Sequence, residues 1–525
     1  MQVRTRWAPS PTGYAHLGFI SRVLINYALA KKNGGQFIWR NEDTDTERTI
    51  PGAMAFNMKW TREFGLDWDE GPDDEDLPED LRKGGPYAPY TQTKRTKAGV
   101  YDQAIQTLLD NGSAYRCFCT KERLAELRET QERAKQQTRY DGRCRNLSTE
   151  EIKQNLDNKV PFTVRIKIPK DRKIEFDDLI THNHVVWDSN EVDDAIIVKS
   201  NGVPTYHLAA MYDDVVMKVT HALRGSEWLA STPIHKILFE GLGIKPEDQA
   251  QIGHFTVILD PNTPGKKMSK RNDSFRVDAL LQRGYLKEAI LNYLMLLGWA
   301  PKDNRELFTL EEFVEAFDLN GMQKSNPTWD DKKMDWFNGV YLRKLSLDQF
   351  SERFYEWVEK YLLTMLPEEE EAFRKKFESL PVDSLLEFAR RLLADKPARL
   401  SEQLALVQER AVNLWDVLQQ IQFFYDAPQS INWDIKQLDK VREQLSEVRA
   451  KVTGFMSSLP EDSKVWTHEA WESGMRAIGD ALGVKHGDVF MVLRVAVCGT
   501  PFSPPLFESL QILGKEEVLA RLNAN

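Results

Sequence analysis

The strongest constraint on the fold lies at the N-terminus, where strand, loop, helix and strand patterns follow one another. In Val3–Trp7 uncharged side chains alternate with arginines, and apolar residues recur at helical spacing after a proline-rich loop. Gly34 and Gly35 end the helical pattern, and Gln36–Arg40 is the next predicted strand. Thr44–Glu47 has the spacing of a capping box, which predicts that another helix starts there. Such strand–helix–strand units favour an α/β fold with a parallel sheet.

Further along the chain the pattern changes twice. Residues 112–200 contain a cysteine pair and β-rich stretches such as Phe162–Ile168, which predict an inserted α+β domain. A strand pattern returns at Val215–Val219. Beyond about residue 280 strand patterns nearly vanish, so an α-helical C-terminal region is expected. Its longest amphipathic patterns cover Asp383–Ala394, Gln403–Tyr425 and Ile435–Leu459.

Composition excludes several classes of protein. The 525 residues are 41% hydrophobic and 29% charged, with four cysteines, which excludes a disordered chain, a collagen and a disulfide scaffold. The apolar runs fall far short of the roughly 20 residues that span a bilayer, so no membrane contact and a cytoplasmic location are expected. The net charge of −10 does not decide whether nucleic acid binds, because acidic and basic segments alternate.

The loop after the first strand is suited to phosphate. Arg6–Phe19 reads R-W-A-P-S-P-T-G-Y-A-H-L-G-F and leads into a helix N-terminus, where backbone N–H groups and the helix dipole favour an anion. Gly18 permits close approach, and His16 can donate a hydrogen bond to a phosphate oxygen. The alternative is a proline–glycine turn with a surface histidine.

A second motif is basic. Lys266–Arg271 places four cations in six residues, on a loop that contains proline and glycine. Lys267 and Lys270 would stabilise the charge that develops on a leaving pyrophosphate. The alternative is a solvated run of charge.

Together these motifs resemble the paired motifs of class I aminoacyl-tRNA synthetases, and the first is similar to that of the glutamyl branch. The remaining motifs of that branch follow in family order: Glu42-Asp43-Thr44-Asp45, Pro204-Thr205-Tyr206-His207, Tyr212-Asp213-Asp214, Arg224-Gly225-Ser226-Glu227-Trp228 and Ser231-Thr232-Pro233-Ile234-His235. The resemblance extends over nearly the whole chain, to Leu506-Phe507-Glu508.

The resemblance implies a Rossmann-type catalytic domain with an inserted acceptor-binding domain, followed by an α-helical anticodon-binding region. The expected segments are 1–111 and 201–259 (catalytic), 112–200 (inserted), 260–330 (the K-M-S-K-R loop and stem contacts) and 331–525 (anticodon-binding).

The implied activity is ATP-dependent ligation of L-glutamate to tRNA(Glu) by a monomer, with Mg²⁺. By this resemblance Arg6 and Arg224 hold the carboxylates of glutamate, Tyr206 donates a hydrogen bond, and Glu42 and Ser10 receive the ammonium. Two arginines and one carboxylate match the charges of the substrate. The residues implied for ATP and catalysis are His16, Gly18, Glu227, Lys267 and Lys270. Phe19 replaces the second histidine of the class motif, so no role for a second imidazole is expected.

The cysteines Cys117, Cys119 and Cys144 have the spacing of a zinc site known in some glutamyl enzymes. Those enzymes place a histidine two residues after the third cysteine, but Asn146 occupies that position here. Tyr140 is the candidate for a weak fourth ligand. Because structural zinc prefers four ligands, the sequence predicts that no zinc is bound.

One residue bears on anticodon choice. Glutamate and glutamine anticodons differ at the third base, C against G, and family members specific for tRNA(Glu) have an arginine in a helix of the anticodon domain. Arg410 matches it, and a guanidinium suits a cytosine carbonyl. The alternatives are that Arg410 is a surface residue on an amphipathic helix, or that a two-residue shift of the register places Gln408 there. The competing functions are another adenylyl-transferring α/β enzyme and a tRNA-binding protein that has lost catalysis.

Overall fold

The computed structural model describes residues 2–268, 275–365, 367–378 and 380–524. The chain forms two compact units. The first contains the residues up to Val277 together with Leu291–Asp330. The second contains Asp278–Ile290 and the residues from Asp331 onward. The strands are β1 (Arg4–Trp7), β2 (Gln36–Trp39), β3 (Ala114–Cys117), β4 (Thr163–Ile166), β5 (Lys173–Asp177), β6 (His184–Asp188), β7 (Ile196–Val198), β8 (His221–Gly225) and β9 (Gln251–Phe255).

The helices that begin in the first unit are α1 (Leu17–Lys32), α2 (Ala53–Glu63), α3 (Gln92–Lys97), α4 (Asp102–Asp110), α5 (Lys121–Arg133), α6 (Thr149–Asp157), α7 (Tyr206–Val216), α8 (Thr232–Gly241), α9 (Val277–Gln282) and α11 (Leu310–Ala316). The others are α10 (Lys287–Gly298), α12 (Asp331–Lys344), α13 (Leu347–Trp357), α14 (Pro367–Lys376), α15 (Val382–Asp395), α16 (Leu400–Gln408), α17 (Leu414–Gln422), α18 (Leu445–Ser458), α19 (His468–Leu482), α20 (His486–Cys498), α21 (Leu506–Leu513) and α22 (Lys515–Ala524).

The first unit is built on a parallel sheet with strand order β2-β1-β8-β9. The predicted β1–α1–β2 unit is confirmed, and β1 and β2 run in register from Arg4↔Gln36 to Trp7↔Trp39. A Cβ on Gly35 would lie 2.1 Å from the carbonyl oxygen of Val3, so only glycine permits this turn from α1 into β2. Because β1 and β8 are central, the loops at their carboxyl ends open onto the same edge of the sheet.

The segment between the two parts of the parallel sheet has the predicted α+β character. It contains an antiparallel sheet of order β3-β4-β7 and the hairpin β5–β6, with helices α5 and α6. Val164, Ile166 and Ile197 are buried in its core.

Two local predictions in this unit are wrong. No helix begins at Thr44, because Asp45 and Arg48 form a turn in which Arg48 Nε donates to Asp45 Oδ2 at 2.6 Å, and α2 starts only at Ala53. The strand predicted at Val215–Val219 is also misplaced. Its first two residues end helix α7, and strand β8 starts at His221. Long-range contacts of the buried Asp213 and Asp214 hold α7 in place, and they are not readable from local sequence.

The second unit is helical throughout its described residues, as predicted, with a core that includes Val452, Met475 and Leu493. One predicted helix, Gln403–Tyr425, is divided into α16 and α17 by a break at 409–413. Arg410 therefore lies in an exposed turn rather than within a helix. None of the helices described is long and apolar enough to cross a membrane.

Candidate active site

A cavity of about 920 Å³ opens at the carboxyl ends of β1, β2 and β8, beside the N-terminus of α1. This is the edge at which parallel α/β sheets bind ligands. The predicted site residues that line this one cavity are Arg6, Ser10, His16, Gly18, Glu42, Tyr206, Arg224, Glu227 and Lys267. Lys270 lies outside the described residues, and Arg410 belongs to the second unit.

The start of α1, which the sequence predicts to bind phosphate, forms one end of the cavity. His16 is the N-cap residue with extended backbone, and its carbonyl accepts the backbone N–H of Phe19 at 2.7 Å. A Cβ on Gly18 would lie 3.0 Å from His16 Cε1, so glycine allows the imidazole to lie over the first helical turn. No acidic residue occupies that turn, which leaves the positive end of the helix dipole available to an anion.

Phe19, where the class motif has a histidine, lies in an aromatic cluster. Its ring packs edge-on against Trp7 with a centroid distance of 5.0 Å and lies 6.1 Å from the ring of Trp39. Only 7% of Phe19 is exposed, so its position serves packing.

A buried ion-pair network forms the floor of the cavity. Arg6 donates from Nε to Asp214 Oδ1 at 3.1 Å and from Nη1 to the carbonyl of Leu223 at 3.2 Å. Arg40 joins this carboxylate to Glu42, with N–O distances of 2.7 Å to each. Burial raises the pKa of Glu42, while the positive charges of Arg40 and Arg6 oppose this increase.

Tyr206 begins helix α7 and forms one wall. Its ring packs on Trp228 with a centroid distance of 4.0 Å. Burial raises the pKa of the Tyr206 hydroxyl, although the charge of Arg224 opposes the shift, so the group remains a hydrogen-bond donor at neutral pH.

Arg224 lies at the end of β8 and is 5% exposed. Its guanidinium donates to the imidazoles of His254 and His235, at 3.0 Å each, and to Thr232 Oγ1 at 2.8 Å. His254 in turn contacts Asp178, with an Nδ1–Oδ2 distance of 2.5 Å.

Glu227 connects α1 with the basic loop. Its Oε1 lies 3.3 Å from Arg22 Nη1 and 3.2 Å from Lys267 Nζ. Burial acts to raise the pKa of Glu227, but the charges of Arg22 and Lys267 outweigh it and the pKa is lowered. The carboxylate therefore holds Lys267 at the mouth of the cavity. A Cβ on Gly225 would lie 2.0 Å from Glu227 Oε2, so a larger residue there would displace this carboxylate.

The three predicted zinc-site cysteines come together in the inserted domain. The sulfurs of Cys117, Cys119 and Cys144 all lie within 4.8 Å of one another. The Tyr140 hydroxyl oxygen is 3.4 Å from Cys117 Sγ and 3.6 Å from Cys119 Sγ. Arg123 Nη1 lies 3.4 Å from Cys119 Sγ, but burial and the neighbouring sulfurs of Cys117 and Cys144 raise the pKa of Cys119 to about 11.

Sequence reasoning missed the partners of the site arginines. Asp214, Arg40 and His254 each make a contact that holds Arg6, Glu42 or Arg224. Some of these partners could have been suspected, because the motifs quoted above include Asp213-Asp214 and Thr232 to His235. The motifs do not show which of these side chains pair with which arginine.

These features define a class of protein: an α/β enzyme that binds a phosphate-bearing ligand and an amino acid at the switch point of a parallel sheet. Residues 2–336 match the family model of the class I tRNA synthetase (E and Q) catalytic domain, and residues 353–525 match that of an anticodon binding domain. The chain belongs to the class I tRNA synthetases of the E and Q group.

Individual relatives agree over the full length. The chain is 38% identical to a glutamate–tRNA ligase of Clostridium novyi, covering 99% of this chain and 97% of the relative. It is 36% identical to that of Dehalococcoides mccartyi, with coverage of 99% and 97%. A crystal structure of a glutamate tRNA ligase from Elizabethkingia meningosepticum, in complex with its amino acid, matches with a TM-score of 0.77, 31% identity, and coverage of 100% of this chain and 99% of that one.

Proposed function

We propose that this chain is a glutamate–tRNA ligase, which uses ATP to join L-glutamate to the 3′ end of tRNA(Glu) through a glutamyl-adenylate. The observation that carries the proposal is that Arg6, Arg224 and Glu42 line one cavity beside the N-terminus of α1. Glutamate has two carboxylates and one ammonium, and the cavity offers two guanidinium groups and one carboxylate. The phosphates of ATP need an anion site next to them, which the helix N-terminus supplies.

In this assignment Arg6 and Arg224 bind the carboxylates, with a hydrogen bond from the Tyr206 hydroxyl. Glu42 and Ser10 receive the ammonium. The raised pKa of the buried Glu42 does not prevent this role, because an incoming ammonium adds a third positive group beside the carboxylate and favours its ionised form.

The activation step needs no side-chain base. The α-carboxylate of glutamate attacks the α-phosphorus of ATP, the bond to the bridging oxygen breaks, and pyrophosphate leaves. His16, the first turn of α1, Lys267 and Lys270 stabilise the charge on the phosphate oxygens. Magnesium is expected to arrive on the ATP phosphates, whose charge it would neutralise.

The second step transfers the glutamyl group. The terminal ribose hydroxyl of the tRNA attacks the activated carbonyl, and AMP leaves. We assign acceptor binding to the inserted segment 112–200, stem contacts to 260–330 and anticodon binding to 331–525, with Arg410 reading the third anticodon base. We further propose that the enzyme is a monomer located in the cytoplasm.

ATP–pyrophosphate exchange tests the proposal, measured with glutamate or glutamine and with tRNA present. Exchange is expected with glutamate and not with glutamine. His16→Ala should lower the rate about 100-fold, the loss typical of one preorganised donor. The control is His184→Ala, because His184 is an exposed histidine paired with Asp177 on the β5–β6 hairpin. Absence of exchange in a protein that still binds tRNA would instead favour a binding protein without catalysis.

A further inference from the structure

Arg224 differs from the buried arginines Arg6, Arg40 and Arg95 in what holds it. Its three hydrogen-bond acceptors are His254 Nε2, His235 Nδ1 and Thr232 Oγ1. In the described part of the chain no carboxylate forms an ion pair with it. A guanidinium has five N–H donors, and none of these three acceptors is a carboxylate.

The hydrogen bonds fix the protonation of the histidines. Arginine only donates, so His254 Nε2 and His235 Nδ1 must be unprotonated acceptors. The remaining nitrogen of each ring then carries the hydrogen. His254 donates from Nδ1 to Asp178 at 2.5 Å, and His235 donates from Nε2 to His207 Nδ1 at 3.2 Å. Burial, reinforced by the nearby Arg224, lowers the pKa of His207 to about 4 and that of His235 well below its usual value, which agrees with neutral rings.

Asp178 is anchored independently of Arg224. Its Oδ1 accepts the backbone N–H groups of Ile180 and Thr181 at 2.9 and 2.8 Å. The Asp178 carboxylate therefore orients the His254 ring, and this ring lies between Asp178 and the guanidinium of Arg224.

The other arginines of this region are already paired with carboxylates. Asp214 contacts both Arg6 and Arg40, and Arg40 also contacts Glu42. Arg95 donates from Nε to Asp213 at 2.8 Å. Three guanidinium groups thus share the carboxylates of Glu42, Asp213 and Asp214, and Arg224 has no part in that network.

We propose that His235 and His254 are positioning residues that hold Arg224 without a carboxylate partner, so that selection of glutamate over glutamine rests on Arg224. This inference rests on the proposed function. A carboxylate would hold a guanidinium equally well but would cancel its charge. Because the reacting α-carboxylate is common to both amino acids, discrimination needs a charge that only the glutamate side chain satisfies. A bound glutamine would leave the buried guanidinium without an anion.

Two pairs of variants test the role of Arg224. The two members of each pair have nearly the same shape and differ by one negative charge. Thr232→Asp and Thr232→Asn place a charged or a neutral acceptor beside Arg224. Thr232 is the first residue of α8, where a carboxylate is compatible with the helix dipole, so the aspartate variant is expected to fold. His235→Glu and His235→Gln repeat the comparison on the second acceptor. KM and kcat are measured for glutamate, glutamine and ATP, with thermal unfolding as the check on folding.

The charged variant of each pair should have a KM for glutamate about 100-fold above that of its neutral partner, with a similar loss of preference over glutamine. The KM for ATP should differ little within a pair. Equal glutamate KM values and equal selectivity within both pairs would overturn the inference and leave the ligase assignment intact. Failure of the wild-type protein to charge glutamate would overturn the assignment itself.

Discussion

At the scale of single residues, two glycines near the two ends of α1 are favoured for different reasons. At Gly18 the constraint is a neighbour, since a Cβ would lie 3.0 Å from His16 Cε1. At Gly34 it is the backbone, which has φ of +59°, while a Cβ there would meet nothing within 4 Å. Replacing Gly18 by alanine should therefore affect activity, whereas replacing Gly34 by alanine should affect stability.

Gly18→Ala should lower the rate of ATP–pyrophosphate exchange by about 10- to 100-fold, because the displaced imidazole no longer meets the phosphates. Its unfolding temperature should not fall, since alanine favours a helix. Gly34→Ala should lose about 1 kcal/mol of stability and keep its exchange rate. Kinetics and thermal unfolding of both variants check this. A Gly18→Ala variant that is as active as wild type would contradict this prediction and show that the His16 imidazole tolerates the displacement.

The sequence identifies some residues of the candidate site but not the residues that pair with them. The motifs identified Arg6, Glu42 and Arg224, and the structure brings all three to one cavity. The motifs could not reveal that Asp214 neutralises Arg6 from 208 positions away, while neutral imidazoles hold Arg224. Such pairing depends on the fold, because each contact joins residues that are distant in sequence.

At the scale of elements, the sequence predicts those helices and strands whose bounds are set by local patterns of apolar residues and glycines. The predicted bounds of β1 and β2 agree with the structure to within one residue, because the alternation in β1, the apolar run in β2 and the glycines between α1 and β2 are local signals. The strand misplaced at Val215–Val219 shows the limit. Its β-branched pair favours a strand locally, but the preceding Asp213 accepts from Gln92 and Tyr101 at 3.0 Å each, which fixes a helix instead.

The inserted domain gives a prediction at this scale, because the cysteine cluster joins the end of β3 to residues 140–144. A tetrahedral zinc with Zn–S bonds of about 2.3 Å places its sulfurs about 3.8 Å apart. Cys119 Sγ and Cys144 Sγ are 3.6 Å apart, all three sulfurs lie within 4.8 Å of one another, and the Tyr140 oxygen is the candidate for the fourth donor, which the sequence suggests only as a weak ligand. From this clustering we propose that the site binds zinc, although the sequence predicts that it does not.

Elemental analysis of the purified protein is expected to find about one zinc per chain. Cys144→Ser should lose the metal, and Tyr140→Phe should bind it more weakly. Cys498→Ser is the matched control, because Cys498 is a buried cysteine of the second unit. Protein that contains no zinc after purification in zinc-supplemented buffer would support the sequence-based prediction instead.

At the scale of the whole molecule, the proposed recognition of the amino acid and of the tRNA lies in different units. The cavity proposed to select the amino acid lies in the first unit, and the anticodon-binding match, residues 353–525, lies in the second. Arg410 is exposed in the turn after α16, where its backbone N–H donates to the Val407 carbonyl at 3.1 Å. Burial lowers the pKa of Arg494, and the nearby charge of Arg410 adds to that shift. Two cations therefore lie close together on this unit, which favours an electronegative partner such as a nucleotide.

If Arg410 reads the third anticodon base, a change there should alter the choice of tRNA without altering the choice of amino acid. The wild-type protein is expected to charge tRNA(Glu) in preference to tRNA(Gln). Arg410→Gln should reduce that preference by about 10- to 100-fold, because one base contact contributes roughly 1–3 kcal/mol of discrimination. The KM for glutamate should remain that of the wild type.

Arg390→Gln is the matched control, since it removes an exposed arginine from α15 of the same unit. Its preference between the two tRNAs should equal that of the wild type, which separates base recognition from a general loss of positive charge. Aminoacylation rates with each tRNA measure the ratio directly. Equal charging of both tRNAs by the wild-type protein would refute the role of Arg410, and it would leave the cavity of the first unit as the source of specificity for glutamate alone.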